Sequence, residues 1–212
     1  MNKIQIIGLI ILIVLICLQI SFINKKYTDY NILQSKNPNK EKFEKVVSQK
    51  YPSVFTDITN NWDIDPSLKN INNQDLQVKI NKYFNYYLIP MCLTHKYDIQ
   101  RNDKISLRQE SSFRHLICQI SGESKVIIFS PSQKSYMYPI KNKQGVISQV
   151  DFWNQDLKKY NKFNQAQYVE IILRQGHMIY IPYKWWYCVQ SSTDSIRVSC
   201  YSESIFSYFL RF

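Results

Sequence analysis

The chain has 212 residues, of which 4 are glycine, and a formal net charge of +11 at pH 7. This length suits one globular domain with appendages and is enough to bury a hydrophobic core. The sequence contains no dense basic patch, zinc knuckle or aromatic–basic motif, so we predict no specific nucleic-acid ligand. A membrane surface or an acidic partner accounts for the positive charge equally well.

The amino-terminal segment has the composition of a membrane anchor. Residues 4–23 carry no charged side chain, and their only polar side chains are those of Gln5, Gln19 and Ser21. This run is long enough for a membrane-spanning helix. A cleaved signal peptide is the alternative, but residues 19–21 lack the small-x-small pattern of a cleavage site. We therefore predict an uncleaved single-pass anchor over residues 1–24, which contacts the membrane through residues 4–23.

Lysines are distributed unequally around this anchor and predict its orientation. Only Lys3 precedes the apolar run, whereas a group of lysines follows it: Lys25, Lys26, Lys36, Lys40, Lys42 and Lys45. The positive-inside rule then places the C-terminal part in the cytosol or on the equivalent side of an organelle membrane. We interpret residues 25–50 as a polar, lysine-rich tether that becomes helical near residues 40–48, and residues 51–212 as the globular domain.

The globular domain is predicted to have an all-β core. Short apolar runs alternate with turns and show little helical periodicity; they cover residues 51–55, 116–120, 125–129, 168–173, 177–181, 187–190 and 196–201. The turns at residues 121–124 and 191–194 predict two β-hairpins. Residues 70–88 fit a helix or a strand equally well, and residues 149–163 predict a loop that carries a short helix. Three cysteines fall within the strands and are predicted to be buried free thiols: Cys118, Cys188 and Cys200.

Four short motifs occur in the order and spacing of a known family. They are Gln119-Ile120-Ser121-Gly122, Phe129-Ser130-Pro131, Ser148-Gln149-Val150-Asp151-Phe152, and the stretch 176–186 with its Ile181-Pro182 and Trp185-Trp186 pairs. Over residues 106–201 the chain therefore resembles the JmjC-like/cupin-like 2-oxoglutarate oxygenases, above all the asparaginyl hydroxylases. This resemblance implies a double-stranded β-helix (cupin/jelly-roll) barrel with a few flanking helices, preceded here by the predicted transmembrane helix.

The resemblance also implies where an iron site would be. Enzymes of this family hold Fe(II) with two histidines and a carboxylate and use 2-oxoglutarate to hydroxylate protein side chains. The three ligand positions correspond here to Gln109, Ser111 and Tyr187, none of which has the family's ligand type. The family's lysine for the distal carboxylate of 2-oxoglutarate falls on Ser124, and Ser106 keeps a hydroxyl where relatives have a threonine. The motifs thus support the fold and predict loss of the iron chemistry.

Two histidines are possible substitute metal ligands. His115 closely follows the lost positions in sequence, and His177 lies on a neighbouring predicted strand. An ordinary hydrogen-bonded histidine is the competing interpretation of each. Glu110 lies between Gln109 and Ser111, so alternation along an extended strand predicts that it faces away from them.

Arg197 is a possible anion-binding residue, because it falls on a strand that lines the family's cofactor pocket and presents a fork of donors. The alternative is an arginine at the end of the barrel that pairs with Asp194 or Glu203. Trp185 and Trp186 are interpreted as packing residues beneath the barrel mouth.

These features predict a membrane-anchored, catalytically inactive JmjC/cupin-like domain that acts as a binding or structural module, for example as an accessory subunit of a membrane protein complex. Such a module needs no cofactor and no metal. The alternative is a divergent Fe(II)/2-oxoglutarate-dependent protein hydroxylase with a non-standard metal site, which would need both iron and 2-oxoglutarate.

Overall fold

The computed structural model describes residues 3–24, 30–59, 62, 84–87, 94–142 and 145–203. Within these residues the helices are α1 (Lys3–Asn24) and α2 (Lys40–Ser48), and short 3₁₀ turns occur at Asn85–Tyr87, Pro131–Tyr136 and Asn161–Gln165. The strands are β1 (Leu33–Lys36), β2 (Ser53–Thr56), β3 (Thr94–Arg101), β4 (Lys104–Gln109), β5 (Arg114–Ser121), β6 (Glu123–Phe129), β7 (Pro139–Asn142), β8 (Gly145–Ser148), β9 (Val169–Arg174), β10 (Met178–Ile181), β11 (Trp186–Ser191) and β12 (Ile196–Glu203).

The described strands form two sheets that face each other. Sheet I has the order β1-β2-β10-β5-β12-β3, and sheet II has the order β7-β8-β4-β11-β6-β9. Side chains from both sheets pack between them into one apolar cluster, here called the interior core, whose members include Val54, Ile105, Ile117, Ile128, Ile179 and Val189. This mostly β architecture is consistent with a cupin/jelly-roll fold.

The two predicted hairpins are wrong, although the predicted strands are present. β5 pairs with β10 and β12 in sheet I, whereas β6 pairs with β9 and β11 in sheet II. β11 and β12 are divided between the sheets in the same way. A short turn shows only that two strands are consecutive, and closure around a shared core decides which strands pair. The turn between β5 and β6 needs glycine, because Gly122 has φ +68° and a Cβ there would lie 2.9 Å from the Ser195 Cα.

The tether predicted for residues 25–50 is wrong from residue 30 onwards, where the chain is part of the fold. β1 lies parallel to β2 and forms the edge of sheet I. Tyr30 and Ile32 pack against the interior core. Residues 25–29 lie outside the described residues. The globular domain therefore includes residues 30–50.

α2 covers the outer face of sheet I and confirms the helix predicted over residues 40–48. Phe43 and Val47 lie one turn apart on the same side of the helix, and both are buried. The Arg114 guanidinium, on β5, donates to both Glu44 carboxylate oxygens at 3.0 and 2.7 Å and to the Tyr87 carbonyl oxygen at 2.6 Å. The apolar side of α2 thus belongs to a core outside sheet I and does not enter the barrel interior.

α1 runs from Lys3 to Asn24; its backbone is described throughout, but its side chains are described only in part. The described isoleucine, leucine and valine side chains between Ile6 and Ile16 are exposed. In the part of the chain that the structure describes, no helix is both long enough and apolar enough to cross a membrane. The anchor predicted for residues 4–23 stays a prediction.

The other predictions can be compared with the structure where it describes them. Trp185 and Trp186 are packing residues as predicted, since both are at most 1% exposed. Trp185 packs in the interior core, but Trp186 packs on the outer face of sheet II and not beneath the barrel mouth. The loop predicted over residues 149–163 leads into the 3₁₀ turn Asn161–Gln165. Residues 70–88 lie outside the described residues except for 84–87. Three cysteines are buried and form no disulfide, as predicted: Cys118, Cys188 and Cys200.

Candidate functional site

Polar side chains line one wall of the barrel interior. On β5, His115 and Gln119 share a face with the interior-core residue Ile117, because side chains alternate along a strand. On the neighbouring strand β12, Tyr201 lies opposite His115. Arg197 lies opposite Gln119 further along the same pair of strands. The candidate site is this buried wall. The residues that alternate with it on both strands point the other way and belong to the core outside sheet I: Leu116, Cys118, Val198 and Cys200.

A buried acid–histidine pair lies at one end of the wall. The Oε2 atom of Glu110 is 2.6 Å from Nδ1 of His115, and the two side chains are 3% and 0% exposed. The other carboxylate oxygen accepts a hydrogen bond from the Ser112 backbone N–H at 2.5 Å. Burial by itself raises the pKa of Glu110, but His115 and the Ser112 hydrogen bonds bring it below its ordinary value. Glu110 is therefore an ionised carboxylate at neutral pH.

The contact between Glu110 and His115 is short but is not aligned as a hydrogen bond. Among the described residues, neither ring nitrogen of His115 has a hydrogen-bond partner of good geometry. At a separation of 2.6 Å the ring still interacts electrostatically with the carboxylate, and this interaction is one cause of the lowered pKa of Glu110. The ring of His115 is held by aromatic neighbours: it stacks on Tyr201 with centroids 4.2 Å apart and meets Tyr187 edge-on at 5.2 Å.

Glu110 faces away from Gln109, as alternation predicted, but it is Glu110 and not Gln109 that points into the barrel interior. β4 ends at Gln109, and its pairing with β11 shifts register between Tyr187 and Val189. This bulge puts Arg108 opposite Tyr187 and reverses the alternation at the end of β4. The turn that follows separates the bulge from β5, so the apolar pattern of β5 is unaffected.

The structure does not bring the three implied metal-ligand positions together. Tyr187 lies in the interior core and is 2% exposed. Gln109 lies opposite Trp186, whose ring packs on the outer face of sheet II, and its side-chain N–H donates to a backbone carbonyl oxygen at 2.9 Å. The Ser111 hydroxyl lies 3.8 Å from where a Cβ of Gly145 would be, at the start of β8.

Two neutral phenols share the Glu110 end of the interior. Burial, with smaller contributions from the Glu110 charge and from Tyr201, raises the pKa of Tyr187 well above its ordinary value. Burial and the Glu110 charge also raise the pKa of Tyr201 to about 12. Both phenols therefore keep their protons at physiological pH, whereas protein side chains ligate metals in their deprotonated forms.

These residues do not fit the family's metal site. An Fe(II) site of this type needs two imidazoles and a carboxylate on one face. Across the described residues, no three His, Cys, Asp or Glu side chains are grouped closely enough to hold a metal ion. His115 and Glu110 converge, but at 2.6 Å they contact each other, whereas two ligands of one metal, each about 2.1 Å from it, are about 3 Å apart. The positive charge of Arg108, which acts on Tyr187 and Tyr201, also opposes a bound cation.

Arg197 lies at the opposite end of the wall and is fully buried. Its Nε donates to the Gln100 side-chain oxygen at 2.7 Å, and its Nη1 donates to the Asp103 carbonyl oxygen at 3.1 Å and to the Ser191 hydroxyl. These acceptors are neutral, and neither Asp194 nor Glu203 is among them. Burial lowers the pKa of Arg197, and nearby carboxylates such as that of Asp103 oppose this effect.

Two buried polar atoms at this end of the wall lack a hydrogen-bond partner among the described residues. They are Nη2 of Arg197 and Oε1 of Gln119. A buried polar group without a partner costs about 1 to 3 kcal/mol, and polar ligands or ordered waters usually satisfy such groups. A cationic donor beside an amide oxygen suits a small anion that carries further polar atoms.

The two positions that match the family's cosubstrate residues are separated in the structure. Ser124 is 1% exposed, and its hydroxyl lies 3.1 Å from that of Ser191, which also contacts Arg197. Ser106 is exposed on β4 and does not line the interior. Lys125, the residue after Ser124, forms a surface salt bridge with Glu170. Arg197 therefore brings a cation close to the position where the family has its lysine.

His177 does not join His115. It lies in the turn before β10, and its carbonyl oxygen accepts a hydrogen bond from the Gln119 N–H at 2.9 Å, which places it at the Arg197 end of the wall. Gln119 is four positions along β5 from His115, which corresponds to about 13 Å along a strand. The two possible substitute ligands therefore belong to opposite ends of the wall.

Arg108 and Tyr201 were not expected in the site. β12 contained a usable signal, because Arg197, Ser199 and Tyr201 alternate with three apolar residues: Ile196, Val198 and Cys200. A strand that is buried on both faces, with one polar face, indicates a polar interior. Arg108 had no such signal, since only the bulge in β4 turns it towards Tyr187.

Two sheets closed around an interior with one polar wall define a cupin-type barrel protein. Residues 100–208 match the family model described as Cupin-like domain, a range that covers about half of the chain. The chain belongs to this cupin-like domain family.

Curated relatives confirm the resemblance to JmjC-domain proteins. The chain is 34% identical over 86 residues to JmjC domain-containing protein D of Dictyostelium discoideum, and 32% identical over 87 residues to lysine-specific demethylase 8 of Xenopus tropicalis. It is 31% identical over 87 residues to human tRNA wybutosine-synthesizing protein 5. These matches cover 40 to 41% of this chain and 19 to 27% of the relatives. The chain thus matches only about a quarter or less of proteins whose names mostly denote enzymes.

Proposed function

We propose that this chain is a membrane-anchored, non-catalytic JmjC/cupin-like domain, a double-stranded β-helix barrel that binds a partner or ligand and does not oxidise it. The observation that supports the proposal most directly is the identity and environment of residue 187. Where the family has its second metal-binding histidine, a buried neutral phenol packs against the His115 ring and the interior core. In this proposal α1 is the anchor, the barrel lies on the cytosolic side, and the chain serves as an accessory subunit of a membrane complex.

Purified full-length protein is expected to contain well below one iron per chain and to form no succinate from 2-oxoglutarate above background. The physical reason is that the described interior offers one imidazole and one carboxylate that already contact each other. The measurement is elemental analysis of protein purified in detergent without chelators, followed by a 2-oxoglutarate turnover assay with added Fe(II).

The alternative, a divergent hydroxylase with a non-standard metal site, is favoured by a single observation, the convergence of His115 and Glu110. It requires stoichiometric iron in the natural protein, lost in His115→Ala and kept in His95→Ala. His95 is a suitable control because it lies on β3, where its ring contacts the Ser202 hydroxyl at 3.1 Å. That pattern of iron binding, with turnover that disappears in His115→Ala, would contradict the non-catalytic proposal.

Arg197 is the proposed ligand-binding residue of the barrel. 2-Oxoglutarate or succinate, tested without iron, is expected to raise the Tm of the full-length protein and to lose this effect in Arg197→Gln, because the cation that attracts the carboxylate is gone. A ligand at 100 times its Kd stabilises the folded protein by about 2.7 kcal/mol, which is roughly 5 to 11 °C in Tm for a chain of this size. Arg174→Gln is the control, since the Arg174 side chain is 71% exposed. Equal shifts in both variants, or no shift in the natural protein at millimolar ligand, would exclude Arg197 from this role.

A further inference from the structure

The segment of residues 131–168 covers the outer face of sheet II and exposes apolar and basic side chains together. Outside α1, the described large hydrophobic side chains that are exposed are those of Tyr86, Ile140, Leu157 and Tyr168. All except Tyr86 belong to this segment. Exposed lysines lie in the same segment, and with two of its hydrophobic residues they form what we call the basic face: Lys134, Leu157, Lys158, Lys159, Lys162 and Tyr168.

Packed aromatic residues hold the basic face in place. The ring of Tyr168 packs on Phe129 with centroids 5.5 Å apart, although 49% of Tyr168 remains exposed. Tyr138 and Tyr160 pack at 5.0 Å, and the Tyr138 hydroxyl accepts a hydrogen bond from the Lys162 N–H at 3.1 Å. The exposed side chains are therefore presented by a preformed surface.

The charge of the basic face is only partly offset by neighbouring groups: the Asp156 charge acts on Lys159, whose ammonium also lies 5.0 Å from the centre of the Tyr160 ring. In the described part of the chain, none of its lysines forms a salt bridge within 4.0 Å; the lysine salt bridges found there are those of Lys36, Lys96, Lys104 and Lys125. Asp151 already pairs with Lys104 at 3.2 Å. Asp156 accepts a hydrogen bond from the Lys159 backbone N–H at 3.1 Å. The lysines thus remain available to an anionic partner.

Tyr30 links the basic face to the chain that comes from α1. Its hydroxyl donates to the Gln167 carbonyl oxygen at 2.5 Å, and its ring meets Trp185 edge-on with centroids 6.3 Å apart. α1 ends at Asn24, six residues before Tyr30. Even a fully extended chain of that length spans only about 20 Å. The end of the barrel that carries Gln167 and Tyr168 therefore lies within that reach of the end of α1.

We infer that the basic face binds an anionic lipid surface beside α1. The inference rests on the membrane anchor of the proposed function. Lysines attract anionic headgroups within about one Debye length. Tyr168 and Leu157 enter the interfacial layer, where tyrosine is favoured because one end of its ring is apolar and the other is polar. The turn between β11 and β12 lies at the far end of β11, about 20 Å from Trp185, and faces the cytosol.

The test uses the full-length protein, in a Cys17→Ser/Cys92→Ser background, reconstituted into vesicles of phosphatidylcholine alone or with about one third phosphatidylserine. An environment-sensitive fluorophore is attached at Leu157→Cys, or at Thr193→Cys in the exposed turn between β11 and β12 as the control. We expect a blue shift at residue 157 that requires phosphatidylserine, is lost in Lys158→Glu/Lys162→Glu, and is reversed by about 0.5 M salt. We expect no shift at residue 193.

The outcomes separate the two proposals. If the protein does not co-float with either kind of vesicle in a density gradient, the proposed membrane anchor is wrong, and the lipid-contact inference is wrong with it. A protein that floats with both but shows no phosphatidylserine response at residue 157 keeps its anchor and overturns the inference. A response that survives the charge reversal, or that appears only with added RNA, also overturns it.

Discussion

Replacement of Glu110 by glutamine is expected to lower the free energy of unfolding by about 1 to 3 kcal/mol at pH 7. The substitution keeps the size of the side chain and an oxygen that can accept from the Ser112 N–H, but it removes the charge that faces His115 at 2.6 Å. Loss of one member of a buried pair leaves the other without compensation for its burial. Urea unfolding of the full-length protein in detergent, followed by tryptophan fluorescence, measures the effect.

The same pair predicts an acid dependence of stability. The folded-state pKa of Glu110 lies below its ordinary value, so its contribution is complete above the unfolded pKa of about 4.3 and is lost as the pH falls through the lower folded pKa. The difference between the natural protein and Glu110→Gln should therefore shrink below about pH 4. A difference that stays constant to pH 3 would show that the carboxylate charge is not its cause.

Glu123→Gln is the matched control for Glu110→Gln. Glu123 pairs with Arg174 at 3.5 Å on the surface, where both side chains are more than half exposed. Solvent screens such pairs, so the same chemical change should cost less than about 1 kcal/mol. Similar losses of unfolding free energy in the two variants would mean that the buried Glu110–His115 contact contributes no more to stability than a surface salt bridge.

Replacement of Trp185 by alanine is expected to cost about 3 to 5 kcal/mol of unfolding free energy. Trp185 is 1% exposed and packs in the interior core, where it also meets the ring of Tyr30. The cavity would therefore loosen both the core and the segment that follows α1. Urea unfolding measures the first effect, and faster amide hydrogen exchange in β1 measures the second.

Trp153→Ala is the matched control, because Trp153 is only half-buried and packs edge-on against Phe152 at 5.0 Å on the outer side of sheet II. It should destabilise less than Trp185→Ala and leave hydrogen exchange in β1 unchanged. Equal effects of the two substitutions on β1 would mean that Trp185 does not hold the segment after α1 against the barrel.

Several features could be predicted from residues alone because they depend on local chemistry. Apolar runs located β2, β5, β6 and β9 to β12, and the spacing of Phe43 and Val47 located α2. Gly122 and Pro182 marked turns through their backbone preferences. The family resemblance is also confirmed. Each strand, helix and turn signal lies within a few neighbouring residues, and the family resemblance rests on the order and spacing of motifs, so no knowledge of distant contacts was needed.

The hairpins, the tether and the orientation of Glu110 depended on contacts between distant segments. Residues 25–50 are polar enough to be interpreted as a linker. The pairing of β1 with β2 and the contact of Tyr30 with Trp185 both join segments that are distant in the sequence or form only when the barrel closes. Glu110 turns inward through one bulge opposite β11. No local pattern marks that bulge, because it arises from the pairing of β4 with a strand that follows it by about 80 residues.

By itself the sequence determined β2, β5, β6 and β9 to β12, because these follow from residue identity and short-range periodicity, and it determined the family through its motifs. The loss of the metal-ligand types at Gln109, Ser111 and Tyr187 stays a prediction from the family resemblance. Only the tertiary structure decided what lines the interior. Strand pairing placed Glu110, His115 and the two phenols at one end and Arg197 at the other. The physical reason is that a side chain becomes an interior group only when its strand is paired in one register, and distant residues set that register.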